Sequence, residues 1–208
     1  MSEYINALIL TYTAFVFAVL SPGPNVFGVL STSLEKGRKA GALFGIGIAF
    51  GSLTWATLSV LGLTQIIAKY SILLLFVKVF GGCYLLYLAF KAFKSSKALA
   101  ETKLTSIDVP KPNRYFASGY LLMMTNPKAA LAWIAIVSLS TFSNAPVWVP
   151  VAAISGTFSL SVVIHISYAI IFTNKGFVKF YEKSRSKILK VFSVVYGGLG
   201  LKLLSSAN

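Results

Sequence analysis

Residues that carry acid–base and metal chemistry are rare in this sequence. Its 208 residues include five Asp and Glu, one His and one Cys. A single cysteine excludes an internal disulfide bond. Metal centres and general acid–base sites need several His, Cys, Asp or Glu side chains close together, and the hydrophobic runs contain one His and one Cys. The sequence therefore predicts that the protein is not an enzyme and binds no metal or cofactor.

Charged residues of any kind are also few. They make up 12% of the chain, against 56% hydrophobic residues and a mean hydropathy of +0.78. Average soluble domains are about a quarter charged, whereas a membrane-spanning helix needs roughly 20 predominantly apolar residues. Runs of that kind occupy residues 5–34, 40–67, 70–93, 115–142, 147–173 and 188–205. The pattern predicts an all-α, polytopic transmembrane helix bundle with about six spans.

The bundle is predicted to be one membrane domain over residues 1–208, built from two halves. A polar stretch at residues 95–114 separates three spans (1–94) from three more (115–208). Three is an odd number, so the halves are expected to be inverted repeats. A short echo favours a duplication, because Lys78-Val79-Phe80-x3-Tyr84 recurs as Lys190-Val191-Phe192-x3-Tyr196. The first run has no basic segment before it and is expected to stay in the mature protein.

The net charge of +14 comes from 19 Lys and Arg residues that sit between the apolar runs. Fourteen of them fall within residues 36–39, 91–114 and 175–187, on one side of a six-span arrangement. Cytoplasmic loops carry an excess of Lys and Arg and meet anionic lipid head groups. We therefore expect a multi-pass protein of the cytoplasmic (inner) membrane with both termini outside and with membrane lipid, not nucleic acid, as the partner of these charges.

Prolines interrupt two of the six runs near their middle. The first run contains Ser21-Pro22-Gly23-Pro24-Asn25, and the fourth contains Thr125-Asn126-Pro127-Lys128. Proline removes a helical hydrogen bond and restricts the residue before it. Matching breaks in two inverted halves are typical of a transporter whose binding site lies between the halves. The alternative is a pair of simple proline kinks in a packed bundle.

The residues at these breaks have the chemistry to bind a carboxylate. A helix that begins at mid-membrane presents free N–H groups and the positive end of its dipole. Lys128 lies about 14 residues from either end of its run, roughly 20 Å at 1.5 Å per residue, which is too deep for its side chain to reach either surface. The predicted substrate-binding residues are Ser21, Pro22, Gly23, Pro24, Asn25, Thr125, Asn126, Pro127 and Lys128.

Three further residues are candidates, each with an ordinary structural alternative. Lys78 lies within the third run but could reach the membrane surface. Tyr84 could shape a pocket or simply pack. His165 could carry protons or be a buried, hydrogen-bonded histidine. No carboxylate lies at mid-membrane, which argues against a cationic substrate and leaves the group that would couple transport to protons open.

Several motifs together resemble the lysine-exporter (LysE/RhtB-type) family of amino-acid exporters. They are Ser21-Pro22-Gly23-Pro24-Asn25, Gly37-Arg38-Lys39-Ala40-Gly41, Gly47-x3-Gly51, Lys78-x2-Gly81-x2-Tyr84-Leu85-Leu86-Tyr87-Leu88 and Asn126-Pro127-Lys128-Ala129-Ala130-Leu131. The resemblance covers about residues 5–135. It implies an inner-membrane exporter of amino acids or close derivatives, driven by the proton gradient, with Pro22, Gly23, Pro24, Asn126, Pro127 and Lys128 at the site.

The sequence departs from the family pattern in three places. Ala89 stands where the family often has glycine, and residues 138–142 lack the usual Pro-Gln-Phe. Asn25 replaces a common aspartate, which again disfavours a cationic substrate. We expect export of a small, neutral L-amino acid. The alternatives are export of another small metabolite and a non-transporting membrane scaffold. The sequence leaves the amino acid and any homo-oligomer open.

Overall fold

The computed structural model describes residues 2–63, 71–98, 111–139 and 145–206. Every regular element in these residues is a helix, which confirms the predicted all-α class. The eight α-helices are α1 (Ser2–Leu20), α2 (Pro24–Lys36), α3 (Arg38–Thr57), α4 (Ser71–Ala98), α5 (Tyr115–Thr125), α6 (Pro127–Leu139), α7 (Trp148–Ile171) and α8 (Lys175–Ser205). A π-helical segment, Leu58–Leu63, continues α3.

Several helices are long and apolar enough to cross a membrane. Among the described residues these are Ser2–Leu20, Arg38–Gly62, Trp148–Ile171 and Lys175–Ser205, and a fifth arises if α5 and α6 count as one span bent by 61°. Four or five candidate spans make this a multi-pass membrane protein. Six spans in two inverted halves stay a prediction.

Two helix boundaries differ from the hydropathy pattern. α4 continues through Ala98, into the stretch predicted as a loop, and α8 begins at Lys175 instead of near residue 188. The early start of α8 has a physical reason, because Val178 and Tyr181 are buried against α2 while neighbouring basic side chains are exposed. An amphipathic segment of this kind forms a helix without being apolar enough to register as a span.

Both predicted breaks are present. α1 ends at Leu20 and α2 starts at Pro24, while α5 ends at Thr125 and α6 starts at Pro127. In each case a proline occupies the first helical position, where its missing N–H costs nothing. The residue before it is extended: Gly23 has φ 177° and ψ −173°, and Asn126 has φ −80° and ψ 107°.

The longest helix pair, α4 and α8, packs in antiparallel fashion. A Cβ at Gly82 would lie 3.2 Å from the carbonyl oxygen of Gly200. Near the other end of α4, the Ser186 hydroxyl donates a hydrogen bond to the carbonyl of Ser96 at 2.7 Å. The contacts therefore run in opposite order along the two helices, and the small residues let the backbones approach closely.

Glycines hold α5, and with it the second break, against α3. A Cβ at Gly47 would lie 2.0 Å from the carbonyl oxygen of Phe116, and a Cβ at Gly119 would lie 2.0 Å from that of Phe44. Neither position has room for a larger residue. These close approaches between backbones fix the position of α5 and therefore of Asn126, which follows its last residue.

The basic first half of α8 contacts both α2 and α4. The guanidinium of Arg185 lies 5.1 Å from the ring centre of Phe27, and the Ser186–Ser96 bond joins the beginning of α8 to the end of α4. The first turn of α2 and the last turns of α4 therefore both contact the first half of α8, which carries five lysines.

Candidate functional site

The two breaks touch each other through their asparagines. The side-chain N–H of Asn126 donates a hydrogen bond to the side-chain oxygen of Asn25 at 3.2 Å, although the two residues are 101 positions apart in the sequence. The Asn25 amide in turn lies 3.1 Å from the sulfur of Met123 on α5. The breaks therefore form one structural unit rather than two independent kinks.

Lys128 also ties the second break to the first. Its ammonium donates to the hydroxyl of Ser21 at 2.9 Å and to the carbonyl of Ser21 at 3.2 Å, and it lies 3.5 Å from the carbonyl of Pro22. These carbonyls belong to the end of α1, where the helix offers acceptors without intrahelical donors. The negative end of the α1 dipole and these oxygens stabilise a cation that has left water.

The two helices that follow the breaks, α2 and α6, differ in whether the backbone N–H groups of their first turns have hydrogen-bond acceptors. In α6, the side-chain oxygen of Asn126 accepts from the backbone N–H of Lys128 at 3.0 Å, so Asn126 caps its own helix. In α2 no side chain caps the helix, and the first intrahelical bond runs from the Phe27 N–H to the Gly23 carbonyl at 3.0 Å. The N–H groups of Asn25 and Val26 consequently have no acceptor within α2.

A cavity of about 40 Å³ lies between the breaks. Its polar lining comes from the break residues and its apolar lining from α1, α5 and α6. The lining residues are Phe15, Ala18, Val19, Ser21, Gly23, Pro24, Asn25, Met123, Asn126, Lys128, Ala129, Ala132, Trp133 and Ile136. One water molecule needs a cavity of roughly 10–15 Å³. The cavity therefore has room for a few waters and must widen to admit an amino acid.

Most residues predicted from the sequence lie at this cavity. Six of the nine line it: Ser21, Gly23, Pro24, Asn25, Asn126 and Lys128. Pro22 contributes its carbonyl to Lys128. Three do not line the cavity, namely Pro22, Thr125 and Pro127. Pro127 is exposed, and the exposed Thr125 donates its hydroxyl to the carbonyl of Leu121, one turn back in α5, at 2.8 Å. The Thr125 hydroxyl therefore bonds within its own helix and does not face the cavity.

The three further candidates lie elsewhere. The ammonium of Lys78 donates to the carbonyl of Ser206 at the end of α8. Tyr84 packs into the apolar core between α4 and α8. His165 is buried, and its Nδ1 donates to the carbonyl of Ser161 at 2.8 Å. Among the described residues no three His, Cys, Asp or Glu side chains form a group that could hold a metal ion.

The sequence did not predict the apolar half of the cavity or the burial of Tyr196. Ala129, Ala132, Trp133 and Ile136 follow Lys128 at helical spacing, so the helix period places them on one face once α6 is known to start at Pro127. Tyr196, 4% exposed, packs in the apolar core between α4 and α8 together with Tyr84. The signal for it in the sequence is the echo that pairs Tyr196 with Tyr84.

Comparison with known proteins identifies the family. The sequence profile described as "LysE type translocator" matches residues 16–207. The chain is 27% identical over 201 residues to the uncharacterized membrane protein YahN of Escherichia coli strain K12, covering 96% of this chain and 90% of that one.

Two other relatives have similar coverage. The threonine efflux protein of the same strain is 27% identical over 197 residues, covering 92% of this chain and 94% of its own. The uncharacterized membrane protein YrhP of Bacillus subtilis strain 168 is 29% identical over 195 residues, covering 88% and 91%. No solved structure matches the chain. Because the profile spans nearly the whole sequence, the protein belongs to the LysE type translocator family.

Proposed function

We propose that the protein exports a small, uncharged L-amino acid or a close derivative across the cytoplasmic membrane. Membership of a translocator family and a relative named threonine efflux protein support export of a small solute. The observation that carries the proposal is the contact of the two breaks around one cavity, with the Lys128 ammonium bound to Ser21 across 107 residues. A kinked bundle without transport has no need of this arrangement.

The site offers partners for both charged groups of an amino acid. The free N–H groups of Asn25 and Val26 at the start of α2 suit a carboxylate. The carbonyls of Ser21 and Pro22 at the end of α1 suit an ammonium group, and in this structure the Lys128 ammonium contacts them. An arriving amino acid then takes over these carbonyls, and Lys128 is released from them.

The same exchange accounts for coupling to protons. Lys128 is the one titratable side chain among the residues that line the cavity. If the substrate ammonium displaces the Lys128 ammonium, Lys128 loses its stabilising acceptors and gives up its proton. After the amino acid leaves, Lys128 takes a proton from outside and returns to Ser21. One proton then enters for each amino acid exported.

A neutral substrate fits this site better than a dibasic one. No acidic side chain belongs to the cavity lining described above. A second ammonium or guanidinium on the substrate would therefore be desolvated without a counter-charge, which is strongly unfavourable. The proposal accordingly limits the substrate to amino acids whose side chains carry no charge.

The arrangement of the halves supports alternating access. α2 and α6 both follow a break in the middle of an apolar run and both start with proline. The antiparallel contact of α4 with α8 is the one expected between the last helices of two inverted repeats. Rocking of one half against the other around the Lys128–Ser21 contact would expose the cavity to each side in turn.

Efflux from cells preloaded with dipeptides of single amino acids tests the function. Cells that express the intact protein should release one or more neutral amino acids faster than cells that express Lys128→Ala. Lys179→Ala is the matched control, because Lys179 is exposed on α8 and distant in sequence from both breaks. If no amino acid leaves faster with the intact protein than with Lys128→Ala at equal membrane levels, the proposal is wrong.

A further inference from the structure

We infer that the apolar half of the cavity is a subsite for the substrate side chain, that it selects short aliphatic side chains, and that Ala132 limits their length. This inference rests on the proposed export of an amino acid. It adds a specificity-determining residue on α6 and narrows the substrate class from uncharged to aliphatic.

The apolar lining is continuous and leads away from the breaks. α1 ends at the first break and α6 begins at the second. One aromatic ring from each helix is in contact: the ring centroids of Phe15 and Trp133 are 5.4 Å apart. Both side chains are 2% exposed. At 1.5 Å per residue, Phe15 lies about 9 Å from Ser21 along α1, and Trp133 lies about 7.5 Å from Lys128 along α6. The two rings thus close the end of the cavity opposite its charged groups.

The polarity of the cavity matches that of an amino acid. Charged and amide groups are confined to the break residues, and the remainder of the lining is alanine, valine, isoleucine, methionine and aromatic side chains. An amino acid bound by its carboxylate and ammonium at the breaks directs its side chain towards Phe15 and Trp133. A polar side chain would lose hydration there without gaining a partner.

Ala132 has the position to set the size limit. It lies one helical turn beyond Lys128 on the same face of α6, and it lines the cavity. With the cavity at about 40 Å³, methyl groups added here occupy the space that a branched side chain would need. A pocket of this kind distinguishes side chains that differ by one methylene by roughly tenfold or more.

Ala130 provides a matched control. It lies on the same helix, is similarly half-buried, and does not line the cavity. Ala130→Val and Ala132→Val add the same two methyl groups to the same element, so a general effect on folding or insertion should appear in both variants.

The experiment measures counterflow, which is the uptake of labelled alanine, valine or leucine into liposomes that are preloaded with the same unlabelled amino acid and contain the purified full-length protein. We expect Ala132→Val to reduce valine and leucine transport at least tenfold while alanine transport stays within about twofold of the original, and Ala130→Val to transport all three normally. Equal loss of all three amino acids in Ala132→Val, or no loss, overturns the subsite and leaves the proposed function standing. Failure of the unaltered protein to transport any amino acid overturns both.

Discussion

The ammonium of Lys128 lies 2.9 Å from the hydroxyl oxygen of Ser21, although the two residues are 107 positions apart. Each belongs to a different half of the chain and to a different broken helix. The bond spans the point where both helices have stopped, so it depends on the presence of both breaks. Removal of either partner should therefore affect the whole site and not one helix alone.

Gly23→Ala should impair transport without destabilising the protein. Gly23 has an extended φ of 177° that any residue can adopt, but a Cβ there would lie 3.2 Å from the Lys128 ammonium nitrogen. The added methyl group shifts the ammonium by a few tenths of an ångström from its place at Ser21. We expect a roughly tenfold loss of efflux, because this weakens hydrogen bonds to a charged group, which contribute about 1.5–3 kcal/mol when fully formed.

Gly198→Ala is the control for this change, because a Cβ at Gly198 meets no atom within 4 Å. The melting temperatures of both variants in detergent should stay close to that of the original protein. Normal efflux by Gly23→Ala would show that the position of the Lys128 ammonium does not matter for transport.

Asn126→Ala should reduce both stability and transport. The Asn126 side chain caps α6 and donates to Asn25. Loss of such a cap costs about 1 kcal/mol, and the two breaks lose the contact between their asparagines. Asn126→Asp keeps the cap acceptor for the Lys128 N–H but loses the donor to Asn25, so it should recover stability and not transport. Thermal unfolding and efflux of both variants separate these effects, and full transport by Asn126→Asp would contradict the proposed contact between the breaks.

Export should depend on the proton gradient through Lys128. With the internal pH held constant, a lower external pH should increase efflux, because a proton must reload Lys128 after the amino acid leaves. Lys128→Ala should lose this dependence along with most of its activity, and Lys128→Arg, which keeps its proton, should bind substrate but not exchange it for a proton. Efflux that is independent of external pH in the unaltered protein would exclude proton exchange.

Both termini should lie outside the cytoplasmic membrane. The basic first half of α8 contacts the last turns of α4, which are also basic, and these segments should lie on the cytoplasmic side. Alkaline phosphatase fused after Asn208 should be active, and green fluorescent protein fused there should not fluoresce. The reverse pattern would contradict the predicted orientation.

The breaks could be predicted because their cause is local. Proline in the interior of a helix breaks or kinks it, so Pro22, Pro24 and Pro127, each in the middle of a long apolar run, mark the ends of α1 and α5 without any knowledge of neighbouring helices. Lys128 could be singled out for a similar reason, since its depth follows from its distance along the run. These local signals were enough to predict nine site residues, and six of the nine line the cavity.

Other features could not be predicted, because they depend on which groups compete for a partner. Asn126 uses its own oxygen to cap α6, so the start of α6 has less to offer a carboxylate than the start of α2, whereas the sequence treats the two starts alike. Thr125 bonds to its own helix, and Lys78 bonds to Ser206 at the far end of the chain. No spacing rule connects residues 78 and 206.

Protection of a cysteine in the cavity tests the central claim most directly. Cys83 is the one cysteine of the chain, so Cys83→Ser combined with Ala132→Cys places a single thiol in the cavity, and Cys83→Ser with Ala130→Cys places one beside it. The rate of maleimide labelling is measured with and without saturating alanine. The account predicts that alanine slows labelling of residue 132 several-fold and leaves residue 130 unchanged. Equal labelling of residue 132 with and without alanine, in a variant that still transports alanine, would contradict it.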